Sequence, residues 1–184
     1  MARHTIYTVK KRRRREGKTD YRKRLKILSS RKPRLVVRKT NKYIIAQIIM
    51  FDPRGDRVIA SAHSGELEKY GWRLSKKNMP AAYLLGLLIA RKAEGKVSEV
   101  ILDIGLYPAI HGSRIFAVAK GAIDGGLNIN IGEEALPRED RIKGEHIAKY
   151  YESNPDRFNN YKKMGLKPGD IEKMFEEAKK KIGA

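Results

Sequence analysis

The chain contains no cysteine among its 184 residues. This absence excludes disulfide bonds, thiolate metal sites and cysteine nucleophiles, and it fits a reducing compartment. No apolar run approaches the ~20 residues that a membrane-spanning helix needs. No apolar segment follows the basic N-terminus either, so a secretory signal is not expected. A hydrophobic content of 41% still predicts one folded domain with extensions.

Acidic residues are scarce at the beginning of the chain. The first 39 residues hold 17 lysines and arginines, but their only acids are Glu16 and Asp20, and Lys10 to Arg15 are all basic. The resulting excess of +15 is three quarters of the net charge of +20. So much like charge repels itself unless a polyanion neutralises it, which makes nucleic acid the leading candidate partner. A solvated tail or a localisation signal is the alternative.

Motifs of catalysis and cofactor binding are missing as well. The sequence has no Gly-x-Ser-x-Gly, no Walker motif and no Gly-x-Gly-x-x-Gly, and its four histidines show no metal-ligand spacing. The order of predicted elements resembles that of ribonuclease H-like nucleases, which hold two metal ions with acids on their first and fourth strands. Here Asp103 stands alone on the fourth strand, with Glu99 at its start. We expect no enzymatic activity, metal or cofactor, and a metal-dependent nuclease is the weaker alternative.

The basic segment is predicted to end in a short helix. Thr19 is placed to cap a helix that runs to about Ser29, where Arg31-Lys32-Pro33 then breaks it. Its apolar stripe consists of Tyr21, Leu25 and Leu28, and its basic stripe of Lys18, Arg22 and Lys26. We therefore expect the helix to lie between a protein surface and an anion.

An antiparallel meander of three strands follows. The predicted strands are Arg34–Lys39, Tyr43–Phe51 and Arg57–His63. The first alternates, with Leu35 and Val37 on one face, whereas the second is apolar enough to be buried on both faces. Residues 52–56 form the turn between the last two strands.

The second half of the sequence is predicted to form helices and one parallel strand. The elements are a helix at Met79–Glu94, a buried strand at Glu99–Gly105, a helix from Ser113 to Gly125, a short edge strand at Leu127–Ile131, and helices near Arg141–Tyr151 and Asp170–Ile182. A strand reached through a helical crossover is expected to pair in parallel. The predicted fold is α/β in a ribonuclease H-like arrangement. A mixed sheet joins the meander to the crossover strand, with helices packed on it, a basic N-terminal extension and a helical C-terminal tail.

Several residues allow two interpretations. Tyr21 either belongs to the apolar stripe, which is favoured, or stacks on a base. Trp72, the only tryptophan, either anchors the irregular stretch 64–78, which is slightly favoured, or forms a stacking platform. The segment His111-Gly112-Ser113-Arg114 is either an anion site at a helix start or a plain cap. Lys76 and Lys77 precede another helix start and leave the same choice open.

Ordered motifs along the chain resemble a known family. They are Arg12–Leu25 (RRRREGKTDYRKRL), Pro33–Arg38, Ile44–Gln47, Asp52–Asp56, Ser61–Ser64, Tyr70–Trp72, Asn78–Tyr83, Ile101–Leu106, Gly112–Ala117 and Gly144–Ile147. The chain resembles the archaeal and eukaryotic branch of large-subunit ribosomal protein eighteen, the universal 5S-rRNA-binding family whose eukaryotic member is numbered five. The resemblance covers nearly the whole chain, and the length is similar to that of the archaeal form.

The resemblance implies a structural role in the cytoplasmic large ribosomal subunit. The expected function is to bind 5S rRNA and help attach it to 23S rRNA at the central protuberance. The expected partners are these two RNAs and neighbouring ribosomal proteins, including large-subunit protein five, with no membrane and no small-molecule substrate. The expected organisation is a basic RNA-binding arm with its helix at 1–32, an α/β core domain at 33–132 and a helical extension at 133–184. A DNA-binding protein is a further alternative.

The RNA-binding residues that the resemblance and the charge pattern predict are concentrated in the first 38 residues. They are Lys10, Lys11, Arg12, Arg13, Arg14, Arg15, Lys18, Arg22, Arg24, Arg31, Lys32, Arg34 and Arg38, with Arg54, Lys76, Lys77, Ser113 and Arg114 as further candidates. His111 stands where many relatives are expected to have lysine. Because the charge of histidine depends on pH, a strong phosphate contact at that loop is in doubt.

Overall fold

A computed structural model describes residues 8–159, 161 and 165–183 of the protein. Residues 1–7 of the predicted arm lie outside the described residues. The helices are α1 (Arg12–Arg15), α2 (Tyr21–Leu28), α3 (Met79–Ala93), α4 (Arg114–Asp124), α5 (Glu139–Lys143), α6 (Glu145–Ser153) and α7 (Ile171–Gly183). The strands are β1 (Arg34–Lys39), β2 (Ile44–Met50), β3 (Arg57–His63) and β4 (Ile101–Asp103). Short 3₁₀ helices cover Ser64–Tyr70, Glu133–Ala135, Pro155–Phe158 and Pro168–Asp170.

The four strands form one mixed sheet in the order β3-β2-β1-β4. The first three pair antiparallel as a meander, and β4 pairs parallel with β1 after the α3 crossover. The predicted α/β fold with its mixed sheet is therefore confirmed. The parallel register places Val36 opposite Asp103, which puts Asp103 on the same face of the sheet as Arg34 and Arg38.

The two faces of the sheet differ in burial. On the inner face Leu35, Val37, Ile44, Ala46 and Ile48 are fully buried against the helices. On the outer face Ile45, Gln47 and Ile49 of β2 are only half-buried. The prediction that this strand is buried on both faces was wrong, because the described outer face has no helical layer comparable to that on the inner face.

Helix α3 is the centre of the core. Most of its residues are buried, because it contacts the sheet on one side and α4 and α7 on the others. Its backbone approaches that of α4 closely at two glycines. A Cβ on Gly86 would overlap the carbonyl oxygen of Val118, and a Cβ on Gly121 would overlap that of Tyr83. Glycine at both positions is therefore a condition for this helix pair.

The C-terminal segment adds to the same core. Helix α7 buries Ile171, Phe175, Ala178 and Ile182, the stripe that its periodicity predicts. The predicted single helix at Arg141–Tyr151 was wrong. The chain forms α5 and α6 instead, because Gly144 between them has a φ of 90° that ends α5 in the left-handed conformation.

Two smaller predictions were also wrong. Leu127–Ile131 is not a strand, since only an isolated parallel bridge joins Asn128 to Glu99. The cap of α2 is Asp20 rather than Thr19, and its carboxylate accepts hydrogen bonds from the backbone N–H groups of Arg22 and Lys23. No helix in the described ranges is both long and apolar enough to cross a membrane.

Candidate nucleic-acid interface

The basic arm presents its charge to solvent. The exposed members of the predicted set here are Lys10, Lys11, Arg12, Arg13, Arg14, Arg15, Lys18, Arg22, Arg31 and Lys32. A few of them have local acidic partners: Arg12 and Lys18 pair with Glu16, and Lys32 pairs with Glu99. Surface pairs of this kind contribute little free energy, so these cations are available to a polyanion.

Helix α2 turns a different face to the protein than its apolar spacing predicts. Leu25 is 71% exposed, so the predicted stripe does not pack as a unit. Arg24, Ile27 and Leu28 are half-buried instead. Tyr21 is half-buried as well, with the Lys11 ammonium 4.8 Å from its ring centroid. A cation–π contact thus joins the arm to the start of the helix.

An arginine–carboxylate network anchors α2 to the sheet. Arg24 donates to both oxygens of Asp56 at 3.0 and 2.8 Å. Arg34 donates to the same Asp56 at 2.8 Å and to Asp103 at 2.9 Å. Arg38 donates to Asp103 at 3.0 Å. Three guanidinium groups therefore share two carboxylates, and Asp56 connects the arm helix to the core strand β1.

Asp103 is held ionised by this network. Its burial alone would raise its pKa, but the charge and hydrogen bond of Arg38, the N–H of Gly105 and the charge of Arg34 together lower the pKa below the ordinary 3.8. Both carboxylate oxygens are engaged by protein donors. The carboxylate of Asp103 therefore neutralises Arg34 and Arg38 in this structure. No group of three or more potential metal ligands occurs within the described residues.

Gly105 leaves room for the guanidinium group of Arg38. It has a φ of 62°, and a Cβ there would lie 2.8 Å from the guanidinium carbon of Arg38. The Arg38 Nη1 also donates to the carbonyl oxygens of Val37 and Asp103. The guanidinium group thus lies against the backbone after β4, and the Arg38 side chain as a whole remains 40% exposed.

The three arginines of the network differ in how much of each side chain is exposed to solvent. The side chain of Arg34 is only 3% exposed and pairs with both Asp56 and Asp103, so its charge is neutralised within the protein. Arg24 and Arg38 keep part of their side chains in solvent. In the sequence Asp56 is one residue of the predicted turn at 52–56, and no motif distinguishes it there. Only its position across from α2 makes it the anchor.

A second basic cleft lies at the end of β1, near the start of α4. Its volume is about 740 Å³, and its lining includes Lys39, His111, Arg114, Arg138 and Arg141. Burial, followed by the charges of Arg114 and Lys77, lowers the pKa of Lys39. Lys39, Lys77 and Arg114 form no salt bridge with any residue in the described part of the chain. The cleft therefore concentrates positive charge, with Lys39, Arg114, Arg138 and Arg141 against the acid Asp140 in its lining.

The remaining candidates near this cleft are half-buried. Arg114 donates to the carbonyl oxygen of Lys77 at 3.2 Å, and the Lys77 ammonium donates to that of Asn41 at 3.1 Å. Ser113 precedes α4 as expected, but its hydroxyl makes no capping hydrogen bond. Lys76 pairs with Glu68.

Arg54 and Trp72, two further residues considered in the sequence analysis, do not line this cleft. Arg54 is exposed in the β2–β3 turn. Trp72 is fully buried and donates from its indole nitrogen to the carbonyl oxygen of Ser75 at 3.1 Å. This burial confirms Trp72 as a core anchor and excludes it as a stacking platform.

His146 on α6 predicts a pH dependence of stability. Burial, followed by the charge of Arg141, lowers its pKa below 6.5, against a smaller opposite effect of Asp140. The unfolded chain therefore binds the proton more readily, so stability is full above about pH 6.5 and falls as the pH drops through the folded-state pKa. We expect His146→Gln to lose less thermal stability than the wild type between about pH 7.5 and pH 5. Parallel melting-temperature curves for the two proteins would contradict this.

Comparison with known proteins identifies the class. The family model described as "Ribosomal large subunit proteins 60S L5, and 50S L18" matches residues 5–99 and 92–131. A protein named large ribosomal subunit protein uL18 from Korarchaeum cryptofilum (strain OPF8) is 52% identical over 191 aligned positions, which cover 100% of this chain and 98% of that relative. A uL18 from Thermofilum pendens (strain DSM 2475 / Hrk 5) is 51% identical, with 99% and 97% covered. The chain is thus a structural protein of the large ribosomal subunit and not an enzyme.

Within that class, the chain belongs to the family of ribosomal large-subunit proteins 60S L5 and 50S L18. The resemblance noted in the sequence is confirmed over the full chain. Ribosomal RNA and ribosomal proteins are its partners as a class.

Proposed function

We propose that the protein binds 5S rRNA and helps attach it to 23S rRNA at the central protuberance of the large subunit. The observation that carries this proposal is the exposed basic arm, anchored to the folded domain through Asp56 and its two arginines. The anchored helix holds the basic side chains of the arm in one orientation, whereas a free tail would place them in many. Contacts between basic side chains and phosphates position a protein on its RNA.

The second basic cleft supports a role between two RNA segments. It is built around Lys39, Arg114 and Arg138, whereas the arm is docked beside Arg34, at the other end of β1. A protein that attaches one RNA to another needs two separate cationic surfaces, and these two clusters meet that requirement. On the resemblance alone, we also propose that large-subunit protein five is a neighbour.

The proposed organisation keeps an arm at 1–32, a core at 33–132 and an extension at 133–184. This is a division of roles rather than of folding units, because α7 contributes Phe175 and Ile182 to the same core as α3. The exposed arm residues Lys10–Arg15, Lys18, Arg22, Arg31 and Lys32 remain the principal proposed RNA contacts. Arg24, Arg38, Arg54, Lys76, Lys77, Ser113 and Arg114 are proposed as secondary contacts.

Neutralising part of the arm is expected to weaken 5S rRNA binding and its salt dependence. In a variant with Arg12, Arg14 and Arg15 replaced by glutamine, affinity should fall on the order of 100-fold at moderate salt. The slope of log affinity against log salt should become shallower by about two to three, since each lost phosphate contact removes about 0.7 to 0.9. Filter binding across a salt series measures both quantities.

The matched control removes the same number of charges elsewhere. Lys179, Lys180 and Lys181 of α7 form a second basic run far along the sequence from the arm, and their replacement by glutamine should leave the slope nearly unchanged. Equal losses in the two triple variants would show that net charge alone governs binding, and the arm would then not be the binding element.

A further inference from the structure

We infer that the cavity between α2 and the outer face of the sheet accepts one unstacked nucleotide of the bound RNA. The inference rests on the proposed function, because it assigns one structural element of that RNA to one site on the protein. The cavity has a volume of about 510 Å³ and is lined by residues of the arm, α2, β1, β2 and the end of β4. This size falls within the roughly 300–1,000 Å³ of pockets that hold small organic ligands.

The floor of the cavity suits a planar base. Val36 of β1 and Ile49 of β2 line it from the outer face of the sheet, and Ile27 lines it from α2. Gln47, the cross-strand partner of Val36, adds a carboxamide between these apolar groups. A carboxamide offers a donor and an acceptor side by side, which is the pattern that pairs with a base edge. In the described structure its hydrogen bond is a long one, 3.5 Å from Nε2 to the hydroxyl of Ser61.

The rim of the cavity suits the phosphate. Seven basic and three acidic side chains line it. Asp56 and Asp103 are already engaged by arginines, and Asp20 caps α2. Lys23 and Lys26, by contrast, form no salt bridge with any residue that the structure describes. The acids are therefore occupied while the lysines are open to an incoming anion.

One buried donor also lacks a partner at this place. The side chain of Arg34 is 97% buried and lines the cavity, and its Nε has no hydrogen-bond partner within the described residues. Buried N–H groups are almost always paired, but no residue that the structure describes supplies an acceptor for this one. A sugar or base oxygen inside the cavity would supply that acceptor.

A nucleotide is the one ligand chemistry that uses all of these features together. Inorganic phosphate would leave the apolar floor and the carboxamide unused, and an apolar ligand would be opposed by the cationic rim. The free-energy cost of unstacking is smallest for a nucleotide that is already unpaired in the free RNA. The site should therefore select a nucleotide in a loop or bulge. The ligand class is therefore an unpaired ribonucleotide of the RNA that the arm binds.

The test replaces the floor without changing any charge. Ile49→Gln makes the floor polar, and Val58→Gln is its matched control, because Val58 is the cross-strand partner of Ile49 but is 48% exposed and does not line the cavity. We expect Ile49→Gln to bind 5S rRNA about tenfold more weakly than Val58→Gln, with the same salt slope, because no phosphate contact is removed. Circular dichroism melts establish that both variants are folded.

The wild-type protein provides an independent readout that does not depend on the variant folding. In modification interference, 5S rRNA carrying base-edge adducts is separated into bound and unbound fractions. We expect adducts at one unpaired base to exclude the RNA from the wild-type complex, and this exclusion to weaken with Ile49→Gln. If the two glutamine variants bind equally, or if no unpaired base interferes, the nucleotide site is wrong while 5S rRNA binding stands. If the wild type fails to bind 5S rRNA, the proposed function itself is wrong.

Discussion

Alanine at Gly121 is expected to lower the free energy of unfolding by about 3 kcal/mol or more. The added Cβ would overlap the carbonyl oxygen of Tyr83 and lie 3.0 Å from its carbonyl carbon and 3.1 Å from the nitrogen of Leu87. These are backbone atoms of α3, which cannot rotate away as a side chain could. Gly86→Ala should have a similar effect, since its Cβ would overlap the carbonyl oxygen of Val118 and lie 2.8 Å from the nitrogen of Ala122.

The sign of this effect is decided by packing rather than by helix propensity. Alanine is favoured over glycine inside a helix by about 1 kcal/mol, so without the overlap both substitutions would stabilise the protein. Gly183→Ala in α7 is the matched control, because a Cβ there meets no atom within 4 Å. Chemical denaturation should find Gly183→Ala close to the wild type. If Gly121→Ala were equally stable, the two helix backbones could not lie as close as the structure has them.

Removal of the Asp103 carboxylate is expected to cost about 3 to 5 kcal/mol of stability. Asp103→Ala would leave the guanidinium group of Arg34 buried with one fewer acceptor, while the half-exposed Arg38 can turn to solvent. Because the pKa of Asp103 is lowered, the network contributes fully above the unfolded-state value of 3.8 and is lost as the pH falls below it. The difference from the wild type should therefore be largest at neutral pH and shrink in acid.

A double variant separates the buried charge from the lost packing. Arg34→Met combined with Asp103→Leu removes both buried charges and keeps most of the volume, so we expect it to recover most of the lost stability. Asp52→Ala, which removes a carboxylate from the exposed β2–β3 turn, should cost about 1 kcal/mol or less. If the double variant were as unstable as Asp103→Ala, side-chain packing rather than the unpaired guanidinium would explain the loss.

Local sequence signals were sufficient for most of the fold. The bounds of β1 and β3 follow from alternation and from the turn between β2 and β3, and the long apolar pattern of α3 is right to within one residue at its end. The signal failed where the backbone conformation of a single residue decides the structure. Gly144 could have continued a helix or ended one, and packing of its left-handed turn against Pro80 and Ile171 selects the second outcome.

The candidate site was less accessible to sequence reasoning. The charge of the arm is visible in the sequence, but the orientation of α2 is not, because an eight-residue helix offers more than one partly apolar face. The ion pair of Arg24 with Asp56 selects the face, and these residues are 32 positions apart. Likewise, Arg34 resembles a surface cation in sequence, and only the parallel register of β4 brings Asp103 beside it.

The single buried tryptophan makes the protein its own spectroscopic probe. Trp72 has no solvent exposure and is held by a hydrogen bond to Ser75, so its emission reports on the integrity of the core. The arm and both basic clefts lack tryptophan, since the sequence contains only this one. A fluorescence change during an RNA titration would therefore mean that the core itself responds, whereas an unchanged spectrum with measurable binding would confine the response to the arm and the surface.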